Sequence, residues 1–104
     1  MTSQERFERM RTAMEAAGYP VVLTPGRGTE VEAWTRAVLA FHLYGGRWTN
    51  KRVGKMLNRD HSSVTMARKR VQCALDLPRQ YDDVIEMIEN FRTKYHELFG
   101  SDVQ

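Results

Sequence analysis

Apolar side chains recur three and four positions apart along most of the chain, and alternating β-branched residues are absent. This spacing predicts an all-α fold of about five helices without a sheet. The predicted elements are an N-terminal helix in 1–18, a loop in 19–28, a helix-turn-helix core in 29–75 and a C-terminal helix in 78–99. With 104 residues, the chain has room for one hydrophobic core and is expected to form a single domain, 1–104.

Local signals mark where several of these helices begin and end. Thr29, followed by Glu32 three positions later, has the spacing of a capping box, and Gly45 with Gly46 is expected to end the central helix. Pro78 suits the first turn of the C-terminal helix. The residues expected to face the core are Trp34, Ala37, Val38, Phe41 and Tyr44 in the central helix and Tyr81, Val84, Ile85, Ile88, Phe91, Tyr95, Leu98 and Phe99 in the C-terminal helix.

A short helix, a tight turn and a further helix are predicted in the middle of the chain. Thr49 can cap the short helix, in which Gly54 permits the close approach of a neighbour. Asn58 tolerates the left-handed conformation of a tight turn, and Asp60 can cap the helix that begins at His61. The order of these elements is that of a helix-turn-helix.

The net charge of +3 is unevenly distributed. Residues 27–70 contain ten basic and three acidic side chains, whereas residues 71–104 contain three basic and seven acidic ones. A solvated face normally mixes both signs, so the positive charge in the middle of the chain indicates a polyanionic partner. The ten basic residues are Arg27, Arg36, Arg47, Lys51, Arg52, Lys55, Arg59, Arg68, Lys69 and Arg70.

The start of the second helix of this pattern has the composition of a base-reading surface. The major groove of duplex DNA admits one helix, and the residues that read bases lie at its N-terminal end, where they must be small and polar. The candidates for base contacts are Asp60, His61, Ser62 and Ser63. The basic residues expected to flank the groove are Arg47, Lys51, Arg52, Arg59, Lys69 and Arg70.

The residues in and around this turn also carry a family resemblance. They are Val53-Gly54, then Asn58-Arg59-Asp60-His61-Ser62-Ser63-Val64, then Ala67 and Lys69-Arg70. This run resembles the signature of the DNA-binding domain of the bacterial replication initiator DnaA, which reads I-G, then G-R-D-H-[ST]-T-V, then A-x-[RK]-[KR]. The resemblance covers residues 27–75 and implies a helix-turn-helix fold of the Trp-repressor-like, DnaA C-terminal type.

The resemblance implies a role for individual residues in binding double-stranded DNA. It carries base contacts to the four residues from Asp60 to Ser63 and phosphate contacts to Lys69 and Arg70. By the same resemblance, Arg27 in its Gly-rich loop enters the minor groove, and Arg36 contacts the DNA backbone. Ser63 stands where the family has threonine, so a thymine methyl contact made by that threonine is lost and the sequence preference is expected to differ.

Several other classes of function are disfavoured. No G-x-x-x-x-G-K-[ST] loop occurs, so the nucleotide-dependent oligomerisation of the initiator is not expected and no cofactor is predicted. Cys73 is alone, and the histidines lack the spacing of metal ligands, which argues against a metal site. Ser62 and Ser63 beside His61 do not form a nucleophile–base pair, because neighbouring helical side chains diverge. We therefore expect a protein that is not an enzyme.

The longest apolar run extends only from Ala37 to Phe41, so neither a membrane span nor a secretory signal is predicted and a cytoplasmic location is expected. Replication control and transcription regulation both remain open as roles. The alternative function is a protein-interaction module, in which the acidic C-terminal helix, with its apolar stripe, pairs two copies of the chain or docks a basic partner while the basic middle segment binds some other anion.

Overall fold

The computed structural model describes residues 1–45 and 47–103, and its regular elements there are five α-helices. The helices are α1 (Ser3–Ala16), α2 (Glu30–Leu43), α3 (Asn50–Leu57), α4 (His61–Asp76) and α5 (Asp82–Phe99). The described residues contain no strand, and Gly45 and Trp48 form an isolated antiparallel bridge. The prediction of an all-α fold with five helices is confirmed.

Side chains satisfy the exposed backbone amides at the starts of α1 to α4, as the sequence predicts for α2, α3 and α4. In α2 the Thr29 hydroxyl accepts from the Glu32 amide (3.1 Å), and the Glu32 carboxylate accepts from the Thr29 amide (2.8 Å). This reciprocal pair is the predicted capping box. The Thr49 hydroxyl caps α3 in the same way by accepting from the Arg52 amide (3.2 Å).

The end of α2 differs in one respect from the prediction. The helix ends at Leu43, and the extended backbone of Tyr44 (φ −63°, ψ 139°) takes its side chain away from the core. Tyr44 was expected to be buried but is 42 % exposed, with the Arg68 guanidinium over its ring. Gly46, which was expected to help end this helix, lies outside the described residues.

The start of α5 lies later than the sequence predicts. Pro78 does not begin the helix, because residues 77–80 form turns in which the Gln80 amide donates to the Leu77 carbonyl (3.0 Å). The helix begins at Asp82, and the ring of the preceding Tyr81 packs edge-on against Trp34, with their centroids 6.0 Å apart.

Leu98 near the end of α5 was also expected to be buried and is 49 % exposed. Tyr95 and Phe99, four positions apart, occupy the inner face of this last stretch with ring centroids 5.0 Å apart. Leu98 is rotated by about 100° from Phe99 around the helix axis and therefore points away from that face.

The central helix α2 organises the core, since every side chain from Trp34 to Ala40 is buried. It packs mainly against α4, while α1 packs against α5. The resulting core is one cluster with contributions from all five helices. The apolar stripe of α5, which the alternative hypothesis assigned to dimerisation, is largely buried within the chain by this packing.

His42 is a buried polar residue in this core. Its Nδ1 lies 2.8 Å from the Val38 carbonyl oxygen, and its Nε2 accepts a hydrogen bond from Arg92 Nε at 3.1 Å. These partners suit the neutral ring with its proton on Nδ1. Burial, with smaller contributions from the Arg92 and Arg6 charges, lowers the pKa of His42 to about 4, although the Val38 bond opposes this.

The lowered pKa of His42 predicts an acid-dependent loss of stability. In the unfolded chain His42 binds a proton below pH 6.5, whereas in the folded protein it does so only near pH 4. The contribution of His42 to the free energy of unfolding is therefore complete above pH 6.5 and is lost as the pH falls toward 4. We expect the free energy of unfolding to fall by about 1–2 kcal/mol between pH 7 and pH 5 through this group. Urea denaturation at both pH values measures it.

The variant His42→Gln should lose most of this pH dependence, whereas His61→Gln, at an exposed histidine, should retain it. If His42→Gln kept the full pH dependence of the free energy of unfolding, the lowered pKa of His42 would not be its cause.

Candidate nucleic-acid interface

The turn between α3 and α4 brings the chain directly into the start of α4. Asn58 adopts the left-handed conformation (φ 57°, ψ 45°), as predicted for this position. The Asp60 carboxylate accepts from the Ser63 amide at 2.9 Å, and this hydrogen bond holds the pKa of Asp60 below its usual value. The predicted N-cap role of Asp60 is thereby confirmed.

The backbone of this turn lies directly against α3. The Arg59 amide donates to the Gly54 carbonyl at 2.8 Å. A Cβ atom placed on Gly54 would lie 2.5 Å from the Arg59 carbonyl oxygen and 3.3 Å from a methyl group of Val64. The predicted close approach at Gly54 is therefore confirmed, and it joins α3, the turn and α4.

A cleft of about 620 Å³ opens between α2, the start of α4 and the loop before α2; we call it the α4 cleft. Alanines of α2 form part of its wall. It brings together seven of the twelve residues that the sequence nominated, which are Arg27, Arg36, Arg59, Asp60, Ser62, Ser63 and Arg70. The side chains of Arg27, Asp60, Ser62 and Ser63 are exposed.

Arg70 lies over the ring of Trp34, with its guanidinium carbon 4.3 Å from the ring centroid. This cation–π contact restricts the arginine at the edge of the α4 cleft. The positive charge of Arg70 is therefore held close to the exposed face of α4 on which Ser62 and Ser63 lie.

Other predicted residues lie beside the α4 cleft rather than in it. His61 and Lys51 line a neighbouring cleft of about 510 Å³ together with Tyr44 and Trp48. Arg47 lines a third cleft, near the N-terminus of the chain. The basic residues around the turn thus cover a surface wider than the α4 cleft.

Arg52 and Lys69 complete the predicted set. Arg52 donates to the Ser3 hydroxyl at 2.6 Å and lies 5.0 Å over the ring of Trp48, so it links α3 to α1. Lys69 is exposed on α4. The DNA contacts predicted for both residues stay predictions.

Arg36 is only 8 % exposed, and its guanidinium is turned toward the loop before α2. It donates to the carbonyl oxygens of Val22 (3.0 Å) and Arg27 (2.6 Å). Burial, followed by repulsion from Arg59, lowers the pKa of Arg36, and Glu32 opposes this. The phosphate contact that the resemblance implies for Arg36 stays a prediction, and the structure gives this side chain a role inside the chain.

Met66 lines the α4 cleft but was not among the residues that the sequence nominated. Its side chain is 59 % exposed and lines the α4 cleft on the same face of the helix as Ser62, Ser63 and Arg70. Its spacing from Ser62 and Ser63, four and three positions, was the signal that could have placed it there. An exposed apolar side chain on this face is able to contact a thymine methyl group.

Within the described part of the chain, no ion pair neutralises the positive charge around the α4 cleft. In residues 1–45 and 47–103, the ion pairs are Arg11–Glu15 and Lys94–Glu97, and His96 Nδ1 also lies 3.1 Å from a carboxylate oxygen of Asp102. None of them involves a basic residue of the 27–70 segment. Among the residues that the structure describes, no group of histidine, cysteine or acidic side chains is arranged to hold a metal ion, and no helix has the length and apolarity to cross a membrane.

Comparisons of the chain with protein-family models, with curated proteins and with solved structures found no match.

Proposed function

We propose that this protein binds double-stranded DNA sequence-specifically, with α4 in the major groove and the Arg27 loop at the adjacent minor groove. The observation that carries the proposal is the exposed N-terminal end of α4, where Asp60, Ser62 and Ser63 share one cleft with Arg27 and Arg70. Small polar side chains at a helix start are what base reading in the major groove requires.

Electrostatics favours the same orientation of α4. At the N-terminal end of α4 the Ser63 amide is bonded to the Asp60 carboxylate, so attraction for phosphate comes from the basic side chains around that end rather than from its backbone amides. Here that end is flanked by arginines that make no ion pair within the described part of the chain. A duplex whose backbone follows the two edges of the α4 cleft would neutralise this charge.

The resemblance to the DnaA signature supports the assignment of individual roles. Asp60, His61, Ser62 and Ser63 contact bases, with His61 entering from the neighbouring cleft. Phosphate contacts fall to Lys69 and Arg70 and to the basic residues Arg47, Lys51 and Arg52 around the turn.

The role that fits is replication control or transcription regulation in a bacterial cytoplasm, through DNA binding without catalysis, nucleotide or cofactor. The exposed side chain of Met66 adds an apolar contact within the major groove.

The first test is the salt dependence of binding to duplex DNA selected from a random pool. With roughly four to six phosphate contacts, the slope of log K against log salt should lie near −4 to −5, because each contact releases a condensed counterion. The variant Lys69→Ala should reduce the slope by about one, and Lys94→Ala, which removes the same charge from α5, should not change it. Salt-independent binding, or no binding at low salt, would contradict the proposal.

A second test separates the capping role of Asp60 from base reading. Asparagine caps a helix as well as aspartate does, but its amide prefers adenine where a carboxylate accepts from cytosine. Asp60→Asn should therefore keep the melting temperature within about 2 °C, weaken binding to the selected site about five- to 100-fold and change the preferred base at one position. Asp60→Ala should also lower the melting temperature, by about 4–8 °C.

The matched control is Thr2→Asn at the cap of α1, which exchanges one capping side chain for another outside the lining of the α4 cleft. It should leave the melting temperature and the sequence preference unchanged. If Asp60→Asn binds the selected site like the wild type and with the same base preference, Asp60 is only a cap.

A further inference from the structure

Three side chains hold the loop between α1 and α2 by its backbone. Arg36 of α2 and Asn58 and Arg59 of the α3–α4 turn donate hydrogen bonds to it. Together they reach five carbonyl oxygens, which belong to Val22, Leu23, Thr24, Gly26 and Arg27. A loop without regular structure is thus bonded to two separate elements.

The turn supplies the contacts on one side of this loop. Arg59 Nη2 donates to the Gly26 carbonyl at 2.8 Å and to the Thr24 carbonyl at 3.1 Å. Asn58 Nδ2 donates to the Leu23 carbonyl at 2.8 Å. The guanidinium of Arg59 can make both of its bonds to the loop because it presents several donors in a fixed plane, which the ammonium of a lysine does not.

Arg36 binds the same loop from α2, through the carbonyls of Val22 and Arg27. The Arg36 and Arg59 charges lie near enough for Arg59 to lower the pKa of Arg36. Two arginines are thus held close together in spite of their repulsion, each bonded to loop carbonyls. If Arg36 and Arg59 served only to attract phosphates, their guanidinium groups would not both be bonded to backbone carbonyls of the loop.

We propose that Arg59, Asn58 and Arg36 are positioning residues that fix the loop so that the exposed Arg27 side chain is held beside the start of α4. On this view Arg59 acts on DNA through Arg27 rather than through a phosphate. A loop ordered before binding reduces the entropy lost when Arg27 enters a groove. This inference rests on the proposed function for its effect on DNA, but the fixing of the loop can be tested without DNA.

The test on the protein alone is limited digestion by trypsin, which cuts after Arg27 when the loop opens. Arg59→Lys keeps the charge and loses the fork, and Asn58→Gly loses the amide while tolerating the left-handed backbone. Cleavage after Arg27, measured by mass spectrometry against cleavage after Arg79 in the 77–80 turn, should accelerate about tenfold in each variant. Arg52→Lys makes the same exchange on α3 and should leave the rate unchanged.

The test on DNA compares duplexes with A·T-rich and G·C-rich flanks around the selected site. Narrow A·T-rich minor grooves attract an inserted arginine, so Arg27→Ala should reduce the preference for A·T flanks about fivefold or more. Arg59→Lys should reduce it by a similar factor with little change in the salt slope. Combined with Arg27→Ala, it should add nothing further, because both substitutions remove one interaction.

The outcomes distinguish the two proposals. Unchanged cleavage after Arg27 in both variants would overturn the positioning role, even if the wild type binds DNA as proposed. Faster cleavage in Arg59→Lys with an unchanged preference for A·T flanks would equally overturn it, since fixing the loop would then have no effect on the contact of Arg27 with DNA. Failure of the wild type to bind any duplex would overturn the proposed function and with it the role of the loop on DNA, while the cleavage rates would still report whether the loop is held.

Discussion

The start of α4 depends on the contact between α3 and the backbone that follows it. With only 2.5 Å between the Arg59 carbonyl oxygen and a Cβ placed on Gly54, any residue other than glycine must displace the turn. The short reversal that results requires the left-handed backbone of Asn58 and leads directly to the Asp60 cap. Because α4 begins immediately after this cap, the orientation of its first turn follows from the contact at Gly54.

The same turn connects α4 to the loop before α2. Asn58 and Arg59 belong to the turn by their backbone and bind the loop by their side chains. The first residues of α4 and the loop that contains Arg27 are therefore connected by one short segment, although they are more than thirty positions apart in the chain. The hydrogen bonds of this segment link the two surfaces that we assign to the major and minor grooves.

Much of the fold could be predicted because its determinants are local. Capping side chains, the glycine at the close contact and the left-handed asparagine all act within a few residues, so their spacing is visible in the sequence. The start of α5 was placed too early, because proline is equally compatible with a first helical turn and with the turn that forms at 77–80. The exposure of Tyr44 was missed since it depends on where the backbone leaves α2.

The candidate site was less predictable, because its arginines have partners far along the chain. Arg59 donates hydrogen bonds to carbonyls 33 and 35 positions away. No sequence pattern distinguishes such an arginine from one whose guanidinium is free to bind a phosphate. The clustering of basic residues around the turn led us to expect a DNA contact for Arg59, and the family resemblance implied one for Arg36. Their carbonyl partners appear only once the fold brings the loop to the turn.

NMR mapping of backbone amides during titration with the selected duplex shows whether the exposed start of α4 contacts DNA. We expect the largest chemical-shift changes at the start of α4 and in the Gly26–Gly28 segment of the loop, with small changes in α1 and α5. Largest changes on α5, with the start of α4 unaffected, would contradict the proposed contact with DNA.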